Sequence, residues 1–181
     1  MIKNTTESYG SVAKFFHWFM AIIIIGMLIM GFFLEDLKEP SLYKAHKSTG
    51  FLILLLVLIR LTWRFLNTSL VYKQNLPKLI KLAAHLGHYS LYILMILVPS
   101  SAFLASNAAQ KPIAFLYVFD MPLLFSEKNL ELAKFMMNIH SILAIIFTIV
   151  IAAHFLAALY HHYIRKDDIL KRMLPNFLKP N

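Results

Sequence analysis

Residues 137–163 read MNIHSILAIIFTIVIAAHFLAALYHHY, a run without a single Asp, Glu, Lys or Arg. About 20 apolar residues cross a hydrocarbon core of ~30 Å as a helix, so this stretch predicts a membrane span. Three further windows meet the same test, at about 12–34, 45–66 and 82–106. Lipid offers no partner to a backbone N–H or C=O, and runs such as FLILLLVLI at 51–59 lack the alternation of a barrel strand, so each span must be a helix. The expected architecture is all-α, a transmembrane four-helix bundle forming one domain over residues 1–181.

Composition points the same way. Of 181 residues 59% are hydrophobic and 15% charged, with a mean hydropathy of +0.65, against roughly 45–50% apolar and ~25% charged in a soluble domain. There is no cysteine, which excludes a disulfide scaffold, thiolate metal sites and covalent c-type haem attachment. The net charge of +9 does not form the basic stripe of a nucleic-acid-binding surface, so lipid and not nucleic acid is the expected partner. The first window carries His17 and Trp18 and lacks a small-residue cleavage site, so it reads as a retained helix. Pro99 should kink the third helix, while Pro40, Pro77 and Pro112 punctuate loops. The long third connection, 107–136, holds Phe115, Leu116, Tyr117 and Phe119 and should lie along the interface or cap the bundle.

The face shared by the N-terminus, the second loop and the C-terminal tail carries twelve basic residues against three acids, Glu7, Asp167 and Asp168; Lys73 and Lys179 are among the twelve. The opposite face carries six of each sign. The positive-inside rule therefore puts both termini in the cytoplasm.

Ionisable residues inside spans are costly and suggest function. His140 and His154 are 14 residues apart on the fourth helix, which places them within ~40° of one face and ~21 Å apart along the axis. His17 opens the first helix on the inner side and His46 opens the second on the outer side. Topology pairs His17 with His154 and His46 with His140. Two stacked bis-histidine levels suit two haem b groups, each gripped by an imidazole from either side. A tetrahedral zinc site would want carboxylate or thiolate, and the helix interiors supply none. The residue four positions after each proposed ligand is small, namely Ala21, Gly50, Ala144 and Ala158, which leaves room for a ring. Arg60, 14 residues after His46, should reach the inner level and meet a haem propionate or a quinone carbonyl; the alternative is a snorkelling arginine. Arg64 is read as topological. His85, His88, His161 and His162 cluster on the inner side, to hydrogen-bond propionates, carry protons to a quinone or sit at the headgroups.

Over nearly the whole chain these residues carry a resemblance. Phe16-His17-Trp18, His46-Lys47-Ser48-Thr49-Gly50, Ala84-His85-Leu86-Gly87-His88, and the run from His154 through His161-His162-Tyr163 to Lys166-Asp167 and Arg172-Met173-Leu174-Pro175 together resemble the bacterial cytochrome b561 family. The resemblance implies a four-helix protein of the bacterial inner membrane with two haems b on His17, His46, His140 and His154. Because that family includes superoxide oxidase, it also implies electron passage from periplasmic superoxide to ubiquinone. Pro99-Ser100-Ser101-Ala102 departs from the family pattern, in which a glycine is expected soon after the proline, and the departure bears on helix packing.

Electron transfer asks the protein only to hold cofactors in a dry, tuned surround. Bis-imidazole iron has no open position, so a substrate would meet the haem edge. On the outer side Lys44 and Lys47 flank His46, and with Lys111 and Lys134 they would focus a small anion such as superoxide. On the inner side a quinone would take electrons near Arg60, His161 or His162. Three rivals remain at this stage: a cytochrome b subunit relaying a dehydrogenase's electrons to quinone, a histidine-lined metal transporter, and a structural anchor with incidental histidines.

Overall fold

The computed structural model describes residues 1–6, 8–68 and 77–175. Glu7, Lys73 and Lys179, which entered the charge count, lie outside the described residues. Four helices are long and apolar enough to cross a membrane: α1 (Ser11–Leu37), α2 (Pro40–Phe65), α3 (Lys78–Ala108) and α4 (Leu130–Leu159). α4 continues into a π-helical turn at Tyr160–Ile164, followed by a short α5 (Ile169–Met173). The all-α bundle is as expected, with one small addition, a two-residue antiparallel ladder of β1 (Ala114–Phe115) and β2 (Phe119–Asp120).

Every span begins or ends beyond its expected limit. Pro40 does not punctuate a loop but opens α2, because a proline at the first helical position loses no hydrogen bond and its fixed φ suits the helix. α4 begins at Leu130, capped by the Asn129 side chain on the Leu132 N–H, so the third connection is shorter than expected and its last seven residues are helical. α3 runs unbroken through Pro99.

The connection between α3 and α4 caps one end of the bundle. Two buried polar residues at the end of α3 organise it: Asn107 Oδ1 accepts the Leu124 N–H at 2.8 Å, and Ser106 Oγ donates to the Lys111 carbonyl at 2.6 Å. The hairpin turn places Leu116 and Tyr117 in the left-handed region, at φ 47° and 61°, and is pinned to α2 by the Leu116 N–H on Ser48 Oγ at 2.8 Å. Below it Phe115 meets Phe51 edge-on, and Phe51 leans on Phe103. We refer to this as the loop end and to the opposite end as the terminal end.

Large apolar side chains face outward along α1 (Phe15, Phe19, Ile22, Ile29) and α4 (Ile142, Ile145, Ile149, Leu156). In water such a surface is untenable; in a bilayer it is the lipid-facing belt. Inside, Met20, Ile24, Ile53, Val57, Leu94, Met95 and Phe147 form one buried cluster. Ile24, Ile53 and Phe147 each follow a paired histidine, His17, His46 or His140, by seven residues on the same helix. Two helical turns carry them onto the same faces one layer deeper, so the core is a dry middle layer between the two histidine levels.

Candidate functional site

At the terminal end α1 and α4 bring His17 and His154 together with ring centroids 6.3 Å apart. At the loop end α2 and α4 bring His46 and His140 to the same separation, 6.3 Å. The pairing expected from topology is therefore the pairing found. Each pair leaves its two imidazoles near enough to hold one group between them.

The surroundings of the loop-end pair fit the same reading. The Val98 carbonyl accepts from His140 Nδ1 at 2.8 Å, and a carbonyl only accepts, so Nδ1 carries the proton and Nε2 keeps its lone pair for a metal. The same carbonyl, one residue before Pro99, also accepts from Ser101 Oγ at 2.8 Å. His46 Nδ1 is buried without a hydrogen-bond partner among the described residues. A β-carbon placed on Gly31 of α1 would stand 3.3 Å from His46 Cε1, so this glycine gives the ring its room. A β-carbon on Gly50 would meet only Met27 Cε at 3.8 Å, an ordinary contact.

The terminal-end pair carries more charge. Arg60 reaches it as the 14-residue offset predicts, with Nη2 at 3.1 Å from His17 Nδ1. A guanidinium only donates, so this contact uses the Nδ1 lone pair and leaves the proton on Nε2. A metal on Nε2 and Arg60 on Nδ1 exclude one another, and metal binding there releases the guanidinium to an anionic acceptor such as a propionate. Arg60 and Arg64 both lie over Tyr92, at 5.9 and 5.5 Å from its ring centre, so Arg64 belongs to this cluster and is more than a topology signal. His88, grouped in sequence with the inner-side histidines, packs edge-on against His154 at 5.6 Å, a third imidazole at this level.

The remaining sequence-predicted residues fall in different places. Lys47, one residue from His46, donates to Ser106 Oγ at 2.8 Å. His161 pairs with Asp167, and His162 Nδ1 and Trp63 Nε1 are buried without hydrogen-bond partners among the described residues. His85 is exposed, its Nδ1 bonded to its own helix at the Lys81 carbonyl, 2.7 Å. No group of three or more histidine, cysteine or carboxylate side chains converges as a metal site among the described residues, which leaves the transporter reading unsupported.

Two histidine pairs at two depths of an apolar four-helix bundle define a membrane electron-transfer protein. A family profile described as prokaryotic cytochrome b561 matches residues 8–176. Similar proteins include "Cytochrome b561 homolog 2" of Escherichia coli (strain K12), 36% identical over 179 residues, 94% of this chain and 93% of the other. "Cytochrome b561 homolog 1" of the same organism is 33% identical over 174 residues, 92% and 97% of the two chains. "Probable superoxide oxidase CybB" of Yersinia pestis is 30% identical over 182 residues, 93% and 97%. The chain belongs to the prokaryotic cytochrome b561 family: it is a bacterial membrane protein that binds haem b, transfers electrons and works as an oxidoreductase.

Proposed function

We propose that this protein takes electrons from superoxide at the loop end and delivers them to ubiquinone at the terminal end, with two haems b between. The observation that carries this reading is the matched pair of histidine levels, with ring centroids 6.3 Å apart in each, which supports His17 with His154 and His46 with His140 as the residues that would hold two separate groups. When bound, haem b supplies one-electron chemistry, and everything else falls to the chain. The excess of Lys and Arg at the terminal end orients that end toward the cytoplasm of a bacterial inner membrane and the loop end toward the periplasm.

At the loop end Lys47 holds a positive charge beside His46, fixed by its bond to Ser106. A group held by an imidazole on each side would leave the substrate no open position, so the useful device is one that draws a small anion to the edge of the group, and a positioned ammonium would do that. The relative named as a probable superoxide oxidase supports the choice of anion. At the terminal end Arg60 offers donors, and His161, His162 and Trp63 offer buried polar nitrogens within reach of the membrane interface, the equipment needed to seat a quinone head group. The balanced reaction takes one electron from each of two superoxide ions, releases two O2, and joins two electrons and two protons to one quinone.

The isolated protein decides the matter. Its dithionite-reduced spectrum should show b-type bands with about two haems per chain, and superoxide should drive ubiquinone reduction without a partner. A colourless preparation, or a coloured one in which superoxide reduces no quinone, overturns the proposal.

A further inference from the structure

One titratable pair lies outside the paired histidines. The chain leaves α4 through the π turn and doubles back at Lys166, held at φ 54°. This turn sets Asp167 Oδ2 2.5 Å from His161 Nδ1. The two side chains are 4% and 12% exposed, respectively. The carboxylate is fixed from every side. Its Oδ1 accepts the Ile169 N–H at 3.2 Å, and the Asp167 N–H closes on the His161 carbonyl at 3.1 Å. Arg165 Nε stands 3.7 Å from Oδ2, beyond hydrogen-bonding distance but close enough to add its charge. From α5 the nearby charges are the Asp168–Lys171 pair, 3.6 Å apart, and Arg172. The Tyr160 ring meets the imidazole edge-on, and α4 brings no Asp, Glu, Lys or Arg from residue 135 to 159.

A carboxylate oxygen only accepts, so the proton of this bond sits on Nδ1, and Nε2, across the ring, is the nitrogen left to act. We propose that Asp167 is the positioning residue that holds His161 as the proton donor to the quinone, an inference that rests on the quinone reading above. The imidazolium gives up its Nε2 proton as the N–H bond breaks and an O–H bond forms on a quinone oxygen. The neutral imidazole, still held through Nδ1, is reprotonated from cytoplasmic water, and the second quinone oxygen takes its proton from solvent. The electrons are the two carried across the chain from two superoxide ions. The fixed seat of Asp167 holds the ring through Nδ1 and so sets the direction of Nε2.

The test uses the haem-loaded protein in liposomes and three variants. Asp167→Asn keeps an acceptor of the same shape and removes the charge. It should lower kcat for superoxide-driven ubiquinone reduction by about tenfold or more with little change in the quinone KM. His161→Gln should lose at least as much, and the double variant should be no slower than His161→Gln alone. If the two losses multiply, Asp167 only helps the tail to fold, and the proposal fails. A second measurement needs no quinone. The proton NMR spectrum of the reduced, diamagnetic protein should contain a strongly deshielded Nδ1 resonance that vanishes in His161→Gln and moves upfield in Asp167→Asn. Its absence from the unaltered protein overturns the pair itself. If the resonance is present but the unaltered protein reduces no quinone, the proposed function fails, and the proton-delivery role fails with it.

Discussion

Arg60→Gln separates the two levels by their redox potentials. The guanidinium is always charged, and Nη2 lies 3.1 Å from His17 Nδ1. A metal on Nε2 frees the guanidinium from Nδ1, but Arg60 is tethered beside His17, and its charge stays within about 8 Å of a metal between His17 and His154. At an effective dielectric constant of about 20, a unit charge at that distance is worth about 2 kcal/mol, or ~90 mV for one electron. A positive charge stabilises the reduced form, so its removal should lower the midpoint potential. The loop-end site is ~21 Å away along α4, so its potential should move at most about a third as far. The assay is a redox titration of the visible bands, fitted to two one-electron components, on a variant first shown to keep its full haem content. One component should fall by several tens of millivolts while the other stays nearly still. Equal movement of both components, or of neither, would falsify the placement of Arg60 beside one site only.

Further outcomes follow from the same geometry. His140→Ala removes one imidazole of the loop-end pair and should reduce the haem count, by pyridine haemochrome, from about two to about one per chain, whereas His85→Ala should leave it unchanged; two haems retained in His140→Ala would end the ligand assignment. Gly31→Ala sets a methyl group 3.3 Å from His46 Cε1 and should disturb the loop-end site alone, read as a change in one of the two spectral components; an unaltered spectrum would show that the ring has room to spare. The superoxide-driven rate should fall as ionic strength rises, and Lys47→Ala should be both slower and less sensitive to salt; a rate indifferent to salt in the unaltered protein removes the steering role of the lysine.

The spans and the levels were legible in the sequence for a physical reason. Lipid forces every backbone bond inside its own segment, so a helix is the only reading of a run such as 137–163, and a 14-residue offset on a helix fixes both face and depth. Arg60 follows His46 by the offset that separates His140 from His154, and it arrives at the inner pair. The ends were less legible, because Pro40 serves as well at the first turn of a helix as in a loop, and Glu131 and Lys134 mask the polar first turn of α4. His88 was read only as one of an inner-side cluster; ten residues into α3, it meets His154 edge-on. The hairpin gave no signal either, since Leu116 and Tyr117 take left-handed conformations usually left to glycine or asparagine, and Ser48 holds them there from a distant part of the chain. Asp167 was hidden for a related reason, because a π turn and a left-handed lysine fold it back onto His161.

The buried layer between the two pairs links fold and function. A spacing of one heptad would stack the histidine levels too closely for two flat macrocycles and a wall between them; a spacing of two leaves one full layer, and Ile24, Ile53 and Phe147 fill it. Their side chains have no polar atoms, so nothing in that layer invites water or an ion to follow the electron. The most buried side chains of the cluster, Met20 and Val57, lie next to it at 0% exposure, whereas the histidines themselves are only half-buried. The bundle therefore carries an apolar layer between the two levels, the distribution expected if electrons, and not ions, cross it.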